Sequence, residues 1–429
     1  MSALDPIIRL MLRTNDIWPF SRLNRLPYTA ALAAFKAVIG RHPAVLAAYT
    51  RHGLARGDII PGLSDIDLTV ILADGMPAAD EMAAVSCLFA DYARLQAAFP
   101  NLGEMEILTE GEFRVWAGFG YRGKATGDWM HIRGRDLRAG ARVGASPIER
   151  ADEALMMYLD YLMLKARMPQ SPIIDAKISR LSKKIALLCG APDPDGTIDV
   201  AMSALDRACG QALSDEALPF DGVVISAGFE RPTLTPDIAE YCALNDQVMD
   251  VAAVPDPAGH GSILFIIAEG GDAAKLIGDF PKPYGFLVGP RMFRYILTAR
   301  FPSYHYLFSS LGASIRGKAE ALAGRPPSLA QIRYATAFEA VRRAVLLRSY
   351  LAGSMMAEGI DYPLRYLMAK RLMEEGIYEI GDWLAIIGEH DKAAAAELER
   401  HYALGADPVQ RYGYARDTMH AFICTALDI

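Results

Sequence analysis

The pattern of apolar and polar positions in the first quarter of the chain predicts strands and helices in alternation. A short apolar run over Val45–Thr50 predicts a first strand, and the alternating, β-branched run Ile66–Leu72 predicts a second. The Gly- and Pro-containing segment between them predicts a loop. Apolar residues at helical spacing predict helices over Tyr28–Ile39 and Pro77–Phe99, and Glu104–Leu108 predicts a third strand. Together these elements predict a small mixed sheet with helices on one side.

The remainder of the chain has a different pattern. Residues 118–145 are rich in Gly and Arg and predict an irregular connection, whereas Ser146-Pro147 is typical of a helix start. Helical spacing then predicts helices over Pro147–Arg167, Ile174–Leu188 and Thr197–Leu213. Residues 219–290 are rich in Pro and Gly, and they predict strands at Ile263–Ala268 and Gly285–Gly289 around a helix at Asp272–Ile277. Further helices are predicted over Arg291–Thr298, Leu329–Leu351, Tyr362–Glu374, Ile380–Gly388, Lys392–Tyr402 and Gly413–Leu427.

These elements predict an α+β fold with a mainly helical C-terminal region. We divide the 429 residues into a sheet-containing domain at 1–145, a helical lobe at 146–218, an α/β insertion of unknown role at 219–290 and a helical C-terminal domain at 291–429.

Composition narrows the classes of function. No apolar run approaches the roughly 20 residues that a membrane-spanning helix needs, so we expect no membrane partner. The net charge of −7 argues against a grip on a long nucleic acid, which normally requires a basic surface. The 5 cysteines are scattered and form no Cys-x-x-Cys pair. They indicate reduced thiols and a cytoplasmic protein.

Two carboxylates lie beside the second predicted strand. Successive side chains of a strand point to opposite faces, so Asp65 and Asp67 share one face, about 7 Å apart. Carboxylates at this spacing repel each other unless a cation lies between them. Hard oxygen ligands of this type suit Mg²⁺ or Mn²⁺. The alternative is a solvated strand start that binds nothing.

The residues around this pair resemble a known motif. Gly53-Leu54-Ala55-Arg56-Gly57, followed after a turn by Ser64-Asp65-Ile66-Asp67-Leu68, is similar to the active-site motif of the DNA polymerase β-like nucleotidyltransferase superfamily. The resemblance implies a small mixed-sheet nucleotidyltransferase domain in which Asp65 and Asp67 hold two Mg²⁺ or Mn²⁺ ions. It also implies a third carboxylate on a neighbouring strand, for which Glu106 fits best and Glu104 is the alternative.

The same resemblance implies a nucleotide site formed by His52, Gly53, Arg56 and Ser64. The sequence departs from the family pattern here, because His52-Gly53 stands where the family has Gly-Ser. Arg56 has a structural ion pair as its alternative role, and His52 has packing against the core as its alternative.

Other residues are weaker candidates for the same site. The segment 118–145 is a candidate substrate loop that contains Lys124, Asp128, Trp129, His131 and Arg133. Lysines of the helical lobe are candidates to contact a triphosphate, and acids of that lobe are candidates for a general base. They are Lys165, Lys183 and Lys184, and Glu149, Glu153 and Asp160.

The resemblance implies an enzyme that moves a nucleoside monophosphate from an NTP, with ATP favoured, to a hydroxyl group of a small-molecule acceptor. Two alternatives stay open. One is the same chemistry with a protein or tRNA acceptor. The other is a non-catalytic nucleotide-binding relative, which the missing Ser of the motif would suit.

Overall fold

This computed structural model describes residues 5–57, 59–118, 120–169, 171–192, 194–214, 235–255, 262–281 and 285–296, with Arg348, Val409, Gln410, Tyr412, Gly413, Arg416, Asp417 and His420. These residues divide into two compact units. The first unit holds the described residues up to 144 together with those from Arg348 onward, and the second holds the described residues between 145 and 296.

A four-stranded mixed sheet lies in the first unit. Its strands are β1 (Val45–Thr50), β2 (Ile66–Leu72), β3 (Leu102–Thr109) and β4 (Met130–Gly134), in the spatial order β3-β2-β1-β4. Strand β1 is antiparallel to both β2 and β4, whereas β2 and β3 are parallel. The bounds of β1 and β2 are those that apolar alternation predicts, and the predicted third strand is confirmed with a few more residues.

The helices of the first unit are α1 (Asp5–Thr14), α2 (Phe20–Leu23), α3 (Leu26–Ile39), α4 (His52–Arg56), α5 (Ala78–Ala98), α6 (Glu110–Gly118) and α7 (Gly120–Thr126). Helices α3 and α5, both predicted from the sequence, contribute Phe35, Val85 and Leu88 to a core with Leu68 and Val70 of β2. The apolar positions of β2 at a spacing of two therefore face these helices, because alternate side chains of a strand share a face.

The sequence pattern predicts helices on one side of this sheet, but the structure has helices on both sides. Tyr49 of β1 lies on the opposite face, where its ring stacks on Phe113 of α6 with centroids 5.8 Å apart. Trp129 packs against both rings at 6.0 Å. Packing of these three aromatic side chains thus holds α6 against the face of the sheet opposite to α3 and α5, next to the residues that follow β1.

Two segments predicted to be irregular contain regular structure. The predicted loop at 52–57 forms the short helix α4, and the predicted irregular connection at 118–145 contains α7 and β4. In the second case, burial of Trp129 and Ile132 and pairing of β4 with the edge of β1 outweigh the Gly- and Arg-rich composition.

A buried ion network joins later residues to this unit. The guanidinium of Arg348 donates to both oxygens of Glu112, at 2.6 and 3.0 Å, and to Glu81 at 2.8 Å. Tyr412 and Arg416 also donate to Glu81, at 2.7 and 3.2 Å. The two glutamates are therefore matched by two arginines, so that the charges buried on α5 and α6 are compensated.

The second unit combines helices with a separate sheet. Its helices are α8 (Pro147–Met157), α9 (Met163–Ala166), α10 (Pro172–Leu188), α11 (Ile198–Ser214), α12 (Pro236–Leu244), α13 (Ala273–Gly278) and α14 (Pro290–Ile296), with a π-helical turn at Tyr158–Leu162 between α8 and α9. Strands β5 (Val248–Pro255), β6 (Ser262–Ala268) and β7 (Gly285–Val288) form a sheet in that order. Ser146 caps α8, as predicted, and it also forms a capping box with Glu149.

The described residues thus form an α+β fold, as predicted. The apolar pattern misses α1, α2, α6, α12 and β5. The domain boundaries that we derive from it stay predictions. The predicted helices at 329–351, 362–374, 380–388, 392–402 and 413–427 lie outside the described residues, apart from isolated positions. Within the described part of the chain, no helix has the length and apolar character needed to cross a membrane.

Candidate active site

The pairing of β2 with β3 brings acidic residues to one face of the sheet. Thr69 is the register partner of Glu106 across the parallel pair, and Asp67 lies two residues before Thr69 on the same face. The backbone N–H of Arg51, directly after β1, donates to the carbonyl of Asp67 at 2.9 Å. This face is opposite to the one that packs on α3 and α5, so the acids are not buried in that core.

A bulge in β3 forms a cradle for the two aspartates. Between the pairs Ile66–Leu102 and Leu68–Met105, β3 has one residue more than β2. Gly103 lies in this bulge, and a Cβ atom there would be 3.0 Å from Asp67 Oδ1 and 3.2 Å from Asp65 Cγ. The two carboxyl groups therefore converge on one point beside the Gly103 backbone.

Helix α5 holds this bulge in place. The carbonyl of Gly103 accepts hydrogen bonds from the hydroxyl of Tyr92 at 3.0 Å and from Nε2 of Gln96 at 2.9 Å. Tyr92 is itself buried in the core, where its ring contacts Phe35 edge-on with centroids 6.1 Å apart. The backbone below the acids is thus fixed by a side chain that packing has already immobilised.

Arg51 is a component of this site that our sequence reasoning missed. Its side chain is 5% exposed, and its Nη1 forms an ion pair with Glu106, whose side chain is 12% exposed. Its Nη2 lies 3.7 Å from Oε2 of Glu104, which is 67% exposed. Strand alternation in the sequence could have revealed the position of Arg51. Because Arg51 comes two residues after Tyr49, it lies on the same face as the acids.

The electrostatics of the site favour a bound cation. Burial and the neighbouring charge of Asp65 raise the pKa of Asp67, against the opposing effects of Arg51 and of a hydrogen bond from the Glu104 N–H. Glu106 and Asp67 keep Arg51 protonated, because they raise its pKa despite complete burial. When all four carboxylates are ionised, Arg51 and the weaker effect of Arg122 at Glu104 offset only part of the negative charge, and a divalent cation would offset more of it.

The donor set fits Mg²⁺ or Mn²⁺ better than a softer metal. All four side chains offer carboxylate oxygens, and the space beside Gly103 is left open by the missing Cβ. The acids are not in tight contact with one another, however. The one group of three potential ligands within 4.8 Å of each other, among the described residues, is elsewhere, at His42, Cys87 and Asp91. Metal binding to the acidic face would require side-chain rotation, which the exposed Asp65 and Glu104 permit.

The four residues predicted to bind nucleotide lie in and after α4. His52 is exposed and has a φ of 54°, a left-handed conformation that favours glycine. The alternative that His52 packs against the core is wrong, because its side chain faces solvent.

Gly53 is buried, and Arg56 is exposed at the end of α4. Ser64 is buried, and its hydroxyl accepts a hydrogen bond from the Ile60 N–H at 3.0 Å. Tyr28 donates to the Ser64 carbonyl at 2.7 Å. Ser64 thus stabilises the turn that leads into Asp65, which is a supporting role for the acidic pair.

The weaker candidates have varied surroundings. Lys124 and Asp128 form an ion pair at 2.9 Å, and Trp129 is buried in the aromatic cluster with Tyr49. His131 is the register partner of Tyr49, and Arg133 is exposed. The lobe candidates lie in the second unit: Lys165, Lys183, Lys184, Glu149, Glu153 and the backbone of Asp160. Their participation in the site stays a prediction.

Neither a family model nor a curated protein matches the chain. The motif and the geometry of the acids around Gly103 are therefore the basis for a functional proposal.

Proposed function

We propose that this protein is a metal-dependent nucleotidyltransferase, which moves a nucleoside monophosphate from an NTP to an acceptor hydroxyl. The observation that carries the proposal is the convergence of Asp65 and Asp67 on Gly103, within 3.2 Å of the position that a Cβ would occupy. Two acids held at one point by a clamped backbone bulge form an oxygen-rich site of the type that a divalent cation needs.

Asp65 and Asp67 would hold two ions, with Glu106 as the third acid and Glu104 as its alternative. When bound, these ions would activate the attacking hydroxyl and neutralise the leaving pyrophosphate. Arg51 would act on the protein side of the site, since its ion pair with Glu106 orients that carboxylate in a buried position. Gly103 would leave the space in which the aspartates can point inward.

The nucleotide would bind next to α4. His52 is exposed at the start of this helix, directly after Arg51, and Arg56 is exposed at its end. An imidazole N–H and a guanidinium both suit phosphate oxygens. Arg56 would give the site a fork donor, whereas His52 would replace the hydroxyl that the family motif provides. We favour ATP as the NTP.

The net charge of −7 supports a small-molecule or protein acceptor over a long nucleic acid. A small-molecule or protein acceptor would bind without the extended basic surface that a long nucleic acid requires. A tRNA acceptor is the competing proposal, and it predicts binding that survives physiological salt.

One observation favours a second candidate function, a non-catalytic nucleotide-binding protein. Arg51 already forms an ion pair with Glu106. If Glu106 stays in this ion pair, the site would bind a metal ion more weakly. His52-Gly53 in place of the Gly-Ser of the motif points in the same direction.

Calorimetric titration of the purified full-length protein with each of four NTPs separates these candidates. An active transferase should bind one NTP more tightly with Mg²⁺ or Mn²⁺ present than with a chelator, and should release pyrophosphate when a hydroxyl acceptor is added. A non-catalytic protein should bind nucleotide with no dependence on the metal. Absence of binding for all four NTPs would contradict both.

A further inference from the structure

A second group of potential metal ligands lies in the first unit, outside the acidic face. His42, Cys87 and Asp91 each offer a ligand atom, and these atoms all lie within 4.8 Å of one another. Nε2 of His42 lies 3.1 Å from Oδ2 of Asp91. No sequence motif links these residues, because the histidine is far from the other two along the chain.

The three residues are positioned by elements of the core. Cys87 and Asp91 are four residues apart on α5, so they lie on one face of that helix. His42 is in the turn between α3 and β1, where its backbone N–H donates to Ile39 at 3.2 Å and its carbonyl accepts from Val45 at 3.1 Å. Packing of α3 on α5 therefore holds the histidine beside the helix without any ligand.

The carboxylate of Asp91 is oriented from its other side. Nη1 of Arg94 donates to Oδ1 of Asp91 at 2.8 Å, while Oδ2 faces His42. One oxygen is thus directed at the cluster and the other is held by a support outside it. Outer partners of this type commonly fix the ligands of metal sites.

The chemistry of the donors selects the metal. Imidazole nitrogen, thiolate sulfur and carboxylate oxygen are the three ligand types of zinc sites, at about 2.0–2.3 Å from the ion. Two ligands of a tetrahedral zinc ion lie roughly 3.3 Å apart at such bond lengths, which is close to the contact between His42 and Asp91. Mg²⁺ would be disfavoured, because it takes hard oxygen ligands and not thiolate.

We propose that His42, Cys87 and Asp91 form a Zn²⁺ site with three protein ligands and a fourth position open to water. A thiolate and a carboxylate match the two charges of the ion, and a neutral imidazole completes the set. The side chains of His42 and Asp91 are 10% and 25% exposed, whereas Cys87 is exposed. The ion would therefore enter from the side of Cys87 and would tie the turn before β1 to α5.

The test uses the full-length protein, stripped of metal with a chelator and then titrated with Co²⁺ as a spectroscopic substitute for Zn²⁺. We expect one equivalent of Co²⁺ to produce a sulfur-to-metal charge-transfer band in the near-ultraviolet, and Zn²⁺ to abolish that band by competition. Cys87→Ser should remove the band. Cys242→Ser is the matched control, because Cys242 is also a free and partly accessible cysteine, and it should leave the band unchanged.

His42→Gln and Asp91→Asn should each lower Zn²⁺ affinity by more than the roughly 10- to 100-fold that loss of an outer partner costs. Arg94→Gln should stay within that range. Asp67→Asn should leave the band and the Zn²⁺ affinity unchanged, so failure of the proposed transferase site would be distinguishable from failure of this one. The absence of a charge-transfer band at saturating Co²⁺, or its persistence in Cys87→Ser, would overturn the proposal.

Discussion

Replacement of Gly103 with alanine would put a methyl group at the point where the two aspartates converge. The new Cβ would lie 3.0 Å from Asp65 Cβ and from Asp67 Oδ1, and 3.2 Å from Asp65 Cγ. Gly103 does not have the positive φ that would strain an alanine backbone. The backbone cannot easily withdraw, because Tyr92 and Gln96 hold the Gly103 carbonyl. The carboxyl groups of both acids must therefore move, and the backbone at Asp65 must also shift, because Asp65 Cβ moves only with that backbone.

The effect of Gly103→Ala on metal affinity depends on whether movement of the two carboxyl groups is more costly in the metal-bound protein than in the metal-free protein. Without a metal, rotation of the exposed Asp65 relieves the contact with its Cγ, and a small backbone shift relieves the contact with its Cβ. With a metal, both carboxylates must point inward beside the new methyl group. Overpacking of this kind costs about 1–3 kcal/mol, so we expect divalent-cation affinity to fall by roughly 5- to 150-fold. The unfolding midpoint of the metal-free protein should change much less than that of the metal-bound protein.

Mn²⁺ binding to the full-length protein, followed by electron paramagnetic resonance of the free ion, measures this affinity directly. Gly140→Ala is the matched control, because a Cβ at Gly140 meets nothing within 4 Å and its φ is also not positive. It should leave Mn²⁺ affinity unchanged. Equal affinities in Gly103→Ala and wild type would refute the inference that the cation binds between the aspartates.

Three other predictions concern stability. His52→Gly should raise the free energy of unfolding by about 0.5–1 kcal/mol, because relief of left-handed strain at φ 54° exceeds the entropy cost of glycine; urea unfolding should show no such gain in His52→Ala. Glu112→Gln should lower the free energy of unfolding by about 3–5 kcal/mol, because Arg348 would keep its buried charge without its main partner. A loss below about 1 kcal/mol, which is typical of exposed ion pairs, would contradict this prediction. Burial raises the pKa of Glu81, but the charges of Arg348 and Arg416 and the hydrogen bonds from Tyr412 and Arg348 together outweigh it, and the net shift is downward. The contribution of Glu81 to the free energy of unfolding is therefore complete above the ordinary pKa of 4.5 and is lost at lower pH. The urea concentration at the unfolding midpoint should decrease as the pH is lowered below 4.5, and it should decrease less steeply in Glu81→Gln.

The sequence was sufficient to predict the strands that carry the acids. Alternation at Ile66–Thr69 and the β-branched residues that follow predict a strand at Ile66–Leu72, and the observed β2 has these bounds. The same periodicity puts Asp65 and Asp67 on one face, and the register with β3 adds Glu106 to it. Local patterns are informative here because Ile66, Leu68, Val70 and Leu72 are buried in the core with α3 and α5, whereas Asp67 on the other face is only partly buried.

The features that the sequence did not reveal depend on tertiary contacts. Burial of Arg51 depends on the neighbouring strand and on its ion pair with Glu106, which no local pattern encodes. Strand β4 has a Gly- and Arg-rich sequence, and it forms because Ile132 and Trp129 find buried positions beside β1. The cluster at His42, Cys87 and Asp91 joins two segments that only packing of α3 on α5 brings together.

Pyrophosphate release from Mg·NTP in matched variants would show whether Asp65 and Asp67 hold the metal ions of a nucleotidyltransferase. Asp65→Asn and Asp67→Asn each remove one negative charge at the point where the cations would bind, whereas Asp74→Asn removes a charge near the other end of the same strand. Asp74 is exposed, and its Oδ1 accepts from the Gly111 N–H at 3.0 Å, which asparagine can also do. We predict that turnover falls by several orders of magnitude in the first two variants and is unchanged in the third. Equal Mg²⁺-dependent turnover in all three variants would show that the active site lies elsewhere.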